Sequence, residues 1–303
     1  MRTLATRRHN IAPAGPWTIA AQATLTVSRL EQQHEAEALA FLEERPTHTF
    51  GMVGFIRANG LVSTHNRGTF YGCRDERGQL EGVALIGHYI LFETRSDSAI
   101  EMFARVAQEC TVAHMVLGEQ DKVETFWRCY AGGGQSPRLF GRELLLEQSW
   151  PVEVREPVPG LRLATLTDLD LIVPAHAQSA FEESGVNPLE VDPEGFRQRC
   201  ARRIQQGQTW VWIENGKLLF KAEVITETNL VTYLEGVWVA PLERGKGYGV
   251  RCISQLGQDF LTRSSRVCLL VNEKSEGARA FYKRAGYKFV GYYDTVFLKQ
   301  RVH

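Results

Sequence analysis

Apolar positions in the second half of the chain recur with two periods, and the switches between the periods mark out its elements. Leu161 to Ala164 reads as a strand. Leu169, Ile172, His176 and Ala180 follow at helical spacing after a start near Thr167 and Asp168, with Pro174 inside the pattern as a kink. A polar loop at Glu182 to Leu189 separates this helix from a second one. That helix opens at Asp192, has Pro193 in its first position, and turns Phe196, Cys200 and Ile204 inward. Trp210 to Ile213 and Leu218 to Val224 flank Asn215-Gly216, the strongest short signal for a hairpin. A strand at Val231 to Val239 then leads through a glycine-rich turn to a helix with Val250, Ile253, Leu256 and Phe260 on one face. A strand at Val267 to Val271, a helix at Glu276 to Ala285 and a strand at Lys288 to Phe297 complete the series.

The first half repeats that order weakly. Leu30 to Glu44 reads as helix, Phe70 to Arg74 and Leu80 to Ile86 as strands about a turn at Arg77-Gly78, and His88 to Glu93 as a further strand. Ser98 to Cys110 is a helix with Ile100, Phe103 and Ala107 inward, Val112 to Leu117 a strand, and Asp121 to Tyr130 a helix. The repetition points to an internal duplication. Between the halves, Pro151, Pro157, Pro159 and Gly160 interrupt regular structure, as in a surface linker. The expected division is therefore an extension at 1–24, one unit at 25–149, a linker at 150–160 and a second unit at 161–303. Each unit is read as α/β: a mixed, mostly antiparallel sheet flanked by helices.

Composition narrows the function classes. A length of 303 residues suits two domains. With 44% hydrophobic residues, 23% charged residues and no net charge, the chain lacks the basic surplus of a nucleic-acid or anionic-membrane binder. No apolar run is long enough to span a bilayer. Six cysteines without a CxxC pair suit buried thiols in a reducing cytoplasm, and no His cluster suggests a metal.

The decisive stretch runs from Leu234 to Gly249: a Val237-x-Val239 strand, Pro241, then Arg244-Gly245-Lys246-Gly247-Tyr248-Gly249 opening a helix. A helix N-terminus leaves backbone N–H groups without partners and carries partial positive charge. Glycines let phosphate oxygens approach those groups, and Arg244 and Lys246 add cations. The loop has no GK[ST] and no GxGxxG spacing, so neither a P-loop nor a dinucleotide fingerprint fits. Arg-x-x-Gly-x-Gly in this setting resembles the acyl-CoA pyrophosphate motif of the GCN5-related N-acetyltransferase (GNAT) superfamily. Asn272 at the end of the next strand, followed by Ala278-x-Ala280-Phe281-Tyr282-x-x-x-Gly286-Tyr287, is similar to that family's second signature, with Tyr287 where Phe is usual.

The resemblance covers residues 160–300. It implies two GNAT-like halves, with acetyl-CoA or another acyl-CoA as co-substrate and cofactor contacts at Val237, Trp238, Val239, Arg244, Gly245, Lys246, Gly247, Tyr248, Gly249 and Asn272. It also implies N-acetyl transfer to an amine acceptor, either a small molecule, a peptide or a protein. No metal, nucleic acid or membrane is expected, the compartment expected is the cytoplasm, and a homodimer is among the assemblies left open. The competing reading is an acyl-CoA sensor without catalysis.

Transfer needs a neutral amine, an oxyanion donor and a proton for the thiolate. Glu235 is the candidate base. On a regular strand it shares an apolar face with Tyr233, Val237 and Val239, which would raise its pKa. Glu182, Glu183, Glu223 and Glu227 are its rivals, and an ion-paired or edge-exposed Glu235 is the competing reading. A bulge at Gly236 would change the face assignment. The resemblance makes the backbone N–H of Val239 the oxyanion donor and Tyr282 the acid. In the first half, Arg95 to Ala99 offers no glycine, Gly118 stands where Asn272 would, and Trp127 stands near the position of Tyr282. That half resembles the degenerate N-terminal half of tandem acetyltransferases.

Overall fold

The computed structural model describes residues 24–154 and 156–299. The extension expected at 1–24 lies outside them apart from Thr24. The first half runs β1 (Thr26–Arg29), α1 (Glu35–Glu43), α2 (Pro46–Asn59), β2 (Gly68–Arg74), β3 (Leu80–Gly87), β4 (Tyr89–Thr94), α3 (Asp97–Gln108), β5 (Met115–Glu119), α4 (Gln120–Tyr130) and β6 (Pro137–Gln148). The second half runs β7 (Leu161–Leu163), α5 (Leu169–Ser184), α6 (Pro188–Val191), α7 (Pro193–Gln205), β8 (Thr209–Glu214), β9 (Lys217–Glu227), β10 (Thr232–Val239), α8 (Tyr248–Leu261), β11 (Val267–Asn272), α9 (Glu276–Arg284) and β12 (Lys288–Leu298).

Local chemistry sets several boundaries. Asp192 caps α7 by accepting from the Gly195 N–H at 2.9 Å, and Pro193 occupies the first turn. Asn215 and Gly216 both take positive φ, as a two-residue hairpin turn between β8 and β9 requires. The strand expected from Val112 starts only at Met115, because Val112 is exposed. The helix expected from Leu30 starts at Glu35: the Leu30 N–H instead bonds to Phe70, extending the edge of the sheet. Val152 and Val158 of the linker are buried in the core around α8, so that segment is packed rather than loose.

Among the described residues twelve strands form one sheet in the order β1-β2-β3-β4-β5-β12-β6-β11-β10-β9-β8-β7. Five strands of each half stay together, and the sixth is exchanged. β6 of the first half pairs antiparallel with β11, and β12 of the second half pairs antiparallel with β5. The exchanged strands pair with each other in the middle.

This arrangement has a pseudo-twofold axis through the pair Glu143 and Tyr293. Glu143 lies opposite Asn272 of β11, and Tyr293 lies opposite Glu119 of β5. The counterpart of Asn272 is therefore Glu119. Gly118, expected in that place, is one residue off because the two halves reach this strand by loops of different length. The same operation relates Tyr89 to Tyr233, which lie in the parallel pairings of β4 with β5 and of β10 with β11.

One face of the second half's sheet packs under α8 and α9 through Leu144, Leu146, Leu234, Leu269 and Phe260. The other face buries Phe50 of α2 against Leu145, Tyr233, Cys268 and Tyr293. Among the described residues no helix is long and apolar enough to cross a membrane.

Candidate functional site

β10 and β11 are parallel for only two residue pairs, Thr232 with Val267 and Tyr233 with Cys268, and then part. The splay exposes one backbone edge of β10. Ala240 N–H bonds to Leu219 on β9, and Val239, one residue back, points its N–H and C=O away from β9 into the splay. Arg244 caps that carbonyl through its Nε at 3.1 Å, which holds the guanidinium over the loop.

The glycine loop lies at the end of β10. Gly245 and Gly247 have φ of 82° and 85°, a region costly for any other residue, and a Cβ on either would meet open space. Gly247 is the N-cap of α8, so the N–H groups of Tyr248, Gly249 and Val250 have no partner one turn back and face outward. Gly249 has a different reason to be glycine. A Cβ there would come within 2.8 Å of Val239 and 2.9 Å of Phe281, so its role is to let α8 sit close to β10 and α9. Lys246 is ion-paired with Glu243 at 2.8 Å, which shares out its charge and raises its pKa. A groove of about 510 Å³, lined by Val158, Trp212, Tyr248 and Arg251, runs beside the start of α8.

The strand is not regular, which changes the reading of Glu235. Between Glu235 and Trp238 the register with β9 slips by one residue, and Gly236 has φ 56°. A Cβ at Gly236 would press on Lys221 Nζ at 3.1 Å. The bulge sends Val237 and Val239 to the α8 face with Leu234, while Tyr233 faces α2. Glu235 thus keeps company with Tyr233 alone of the three residues expected on its face. It is exposed, 3.7 Å from Arg203, and not on an apolar surface. Trp238 turns toward α5, where its indole donates to Gln178 at 3.2 Å.

The rival carboxylates separate by environment. Glu223 is buried beneath the bulge, bonded to Arg203, to Lys221 at 3.0 Å and to His176 at 2.9 Å. Despite its burial, these cations hold it far below the carboxylate range, so it is ionised and occupied. Glu227 is tied to Arg263 at 2.5 Å. Glu182 accepts from Gln178 at 3.0 Å. Glu183, in the last turn of α5, has an exposed side chain. Desolvation and then the negative charges of Glu235 and Glu143 push its carboxyl up to about 8, the range for a base working near neutrality.

Tyr282 is buried in the α8 core, with its ring edge-on to Phe281 and Tyr287. Burial, reinforced by Glu183, pushes its phenol well above the usual range, so it stays protonated across neutral pH. Its hydroxyl has no hydrogen-bond partner among the described residues. Asn272 makes a local turn, its Oδ1 accepting from Lys274 N–H at 2.9 Å, which leaves its amide nitrogen for another contact.

The first half's splay, between β4 and β5, is filled. Arg45 forks onto Glu119 at 2.8 Å and reaches Glu93 at 2.9 Å, and Lys122 bonds Glu93 at 2.6 Å. The cavity left beside His48, Phe50 and Tyr293 is about 40 Å³, room for a water or two. Leu91 stands where Glu235 does in the second half.

A loop of this form at the mouth of a splayed parallel pair meets the comparison with known proteins directly. Residues 176–287 match the model of the Acetyltransferase (GNAT) family. The matched segment makes up most of the second half, which is similar to that family over those residues. Nearly the whole chain also resembles solved structures. An acetyltransferase from the GNAT family of Colwellia psychrerythraea is 14% identical, with 90% of this chain and 99% of that one covered and a TM-score of 0.56. A Drosophila protein is 12% identical, with coverages of 91% and 99% and a TM-score of 0.66. A tandem GNAT protein from the clavulanic acid biosynthesis pathway is 12% identical, with coverages of 91% and 98% and a TM-score of 0.55. At such identities the likeness establishes the shared fold: both halves, including the GNAT-like first half, follow it. No curated protein matches the sequence.

Proposed function

We propose that the protein transfers the acetyl group of acetyl-CoA directly to a primary amine, in the splay between β10 and β11. One observation carries the reading: β10 and β11 part beside an open glycine loop at a helix N-terminus, and the buried Tyr282 phenol packs in the core that lines the splay.

The loop N–H groups from Gly245 to Gly249, with Arg244, would hold the pyrophosphate. Val239 N–H would donate a hydrogen bond to the carbonyl oxygen of the thioester. Glu183, directly or through water, takes a proton from the acceptor ammonium. The neutral nitrogen then attacks the thioester carbon, and Val239 N–H stabilises the oxyanion that forms. When the C–S bond breaks, the Tyr282 hydroxyl gives its proton to the departing thiolate, and the second proton lost by the acceptor nitrogen restores the phenol, leaving an amide and free CoA. Glu235 acts here as the charge that keeps Glu183 basic, a change from the direct role its place in the sequence suggested.

Calorimetric titration of acetyl-CoA into the wild type and Gly247→Glu tests the cofactor step, and release of CoA thiol with an amine panel tests transfer. Micromolar-range binding lost in the variant, followed by amine-dependent thiol release, is the expected result. Binding without turnover toward any amine would leave an acyl-CoA sensor, and failure of the folded wild type to bind would end the transfer reading.

A further inference from the structure

We propose that Lys221, Glu223 and His176 are positioning residues, a buried triangle that seats the Gly236 bulge and so turns the Val239 N–H toward the thioester. The inference rests on the transfer reading above and deepens its account of the same site.

The bulge decides where that N–H points. β9 and β10 pair Glu223 with Glu235 and then Lys221 with Trp238, so β10 carries one residue more than β9 over this step. Beyond it, Ala240 gives its N–H to the Leu219 carbonyl at 3.0 Å. Without the extra residue Val239 would stand opposite Leu219 and spend its own N–H on β9, because N–H directions alternate along a strand. The inserted residue is what makes Val239 a donor for the splay.

Charged groups occupy the underside of this bulge. Lys221 has no exposed surface, and Glu223 is 1% exposed. Lys221 Nζ lies 3.0 Å from Glu223 Oε1 and 3.1 Å from His176 Nδ1, and those two atoms are 2.9 Å apart. A Cβ on Gly236 would meet these three groups first, at 3.1 Å from Lys221 Nζ, 3.8 Å from His176 Nδ1 and 3.9 Å from Glu223 Cδ. The bulged backbone therefore rests on the triangle itself. An ammonium only donates, so Nζ gives hydrogen bonds to the carboxylate and to Nδ1, and the neutral ring carries its proton on Nε2. Desolvation, helped by the charges of Lys221 and Arg203, holds the ring below its usual pKa against the pull of Glu223, which keeps Nδ1 an acceptor near pH 7. Arg203 of α7 takes the other oxygen of Glu223 and lies 3.7 Å from Glu235.

Stability does not account for the triangle. Its surroundings on α5 and α7 are apolar, with Ile172, Ala175, Phe196 and Cys200 buried. In such a place apolar side chains of similar volume serve as well as an ion pair, or better. An ammonium held by two acceptors adds a fixed position, because its hydrogen bonds have direction where aliphatic packing has none. That fixed point lies under the residue at which the register slips.

The Val239 amide resonance of the isotope-labelled full chain reads the position directly. In the wild type, acetyl-CoA should shift it well beyond the shift given by CoA, since only the thioester brings a carbonyl to that N–H. Lys221→Met/Glu223→Leu removes the pair together. This variant should lose the difference while its urea transition stays cooperative and its CoA affinity stays within about threefold of wild type. His176→Asn keeps an acceptor at the place of Nδ1 and should retain the difference, whereas His176→Leu should lose it. That second comparison decides the matter if the double variant does not fold. A difference that survives in the folded double variant or in His176→Leu, or that vanishes in His176→Asn, would overturn the proposal and leave the transfer reading standing. Equal shifts from the two ligands in a wild type that binds both would refute it as well. A folded wild type that binds neither ligand would end both readings.

Discussion

Phe50 of α2 stacks on Tyr233 of β10 with ring centroids 3.5 Å apart and planes 11° from parallel. One ring belongs to the half whose splay is filled and the other to the half whose splay is open. The first half thereby fixes the position of a tyrosine at the start of the splay between β10 and β11. Thr226 adds to the same contact by donating to the Phe50 carbonyl at 2.6 Å. Phe50→Ala should cost about 3–5 kcal/mol of stability in a urea titration. Phe50→Leu should cost less than about 1.5 kcal/mol, yet slow transfer while sparing acetyl-CoA affinity. Equal rates in Phe50→Leu and wild type would show that α2 packs without positioning anything.

The pH dependence of transfer should carry the signature of Glu183. Its carboxyl is raised to about 8, so the ionised, proton-accepting form grows as pH rises and the rate should climb to a plateau just above that value. Glu183→Gln should abolish this limb and lower the rate by roughly a hundredfold or more. Glu235→Gln removes the nearest like charge, so the limb should move to lower pH with only a modest fall in rate. A limb unmoved in Glu235→Gln would break the proposed coupling of the two carboxylates.

The loop glycines should respond in different ways. Gly247→Glu adds a side chain in open space at a cost of about 1 kcal/mol for its φ, so it should fold, with acetyl-CoA affinity down by at least about tenfold. Gly249→Val would drive its side chain into Val239 and Phe281 and should lose about 1–3 kcal/mol of stability. Thermal melts with and without acetyl-CoA separate the two effects.

The filled splay of the first half makes a stability prediction. Desolvation opposes ionisation of Glu119, but hydrogen bonds from Arg45 and the charges of His48 and Lys122 hold its pKa at about 2. Because the folded value lies below the unfolded one, the stabilisation is complete above about pH 4.5 and is lost as pH falls toward 2. Arg45→Met should cost roughly 2 kcal/mol at neutral pH, since Lys122 stays to compensate Glu93 and Glu119. The loss should shrink as the carboxyl titrates, which denaturant curves at pH 7 and pH 3 would show.

The exchanged strands predict how the chain behaves when cut. A fragment ending near residue 154 leaves the outer edge of β5 without β12, and one beginning near residue 156 leaves β11 without β6. Each alone should be aggregation-prone, as bare sheet edges are. The two produced together should reassemble and restore acetyl-CoA binding. A well-folded second-half fragment, by circular dichroism and a cooperative melt, would contradict this.

The sequence was legible where one residue carries one physical demand. Asn215-Gly216 marked its hairpin, Asp192-Pro193 opened its helix, and Arg244 to Gly249 drew attention to the site before any coordinate was known. The misses share a different origin. Pro46–Asn59 is buried along much of its length and carries little polar contrast between faces, so periodicity did not separate it from its surroundings. Pro137–Gln148 follows a glycine run and begins with exposed residues, and its pairing partners lie far along the chain. Nothing in that segment says that Glu143 will lie beside Asn272. Glu235 was judged by an alternation that one bulged glycine cancels. Register, bulges and exchange are properties of pairs of strands, and a single strand's pattern does not contain them.

The exchange also orders events in time. As the chain leaves the ribosome, β5 is made early, yet the strand that covers its open edge is β12, at residues 288–298. Neither half can close its sheet first, so the nascent chain must carry an unfinished edge until almost all of these residues have emerged. The sheet can close in both halves only when the exchanged strands are present together, so the splay between β10 and β11 gains its full surroundings only then.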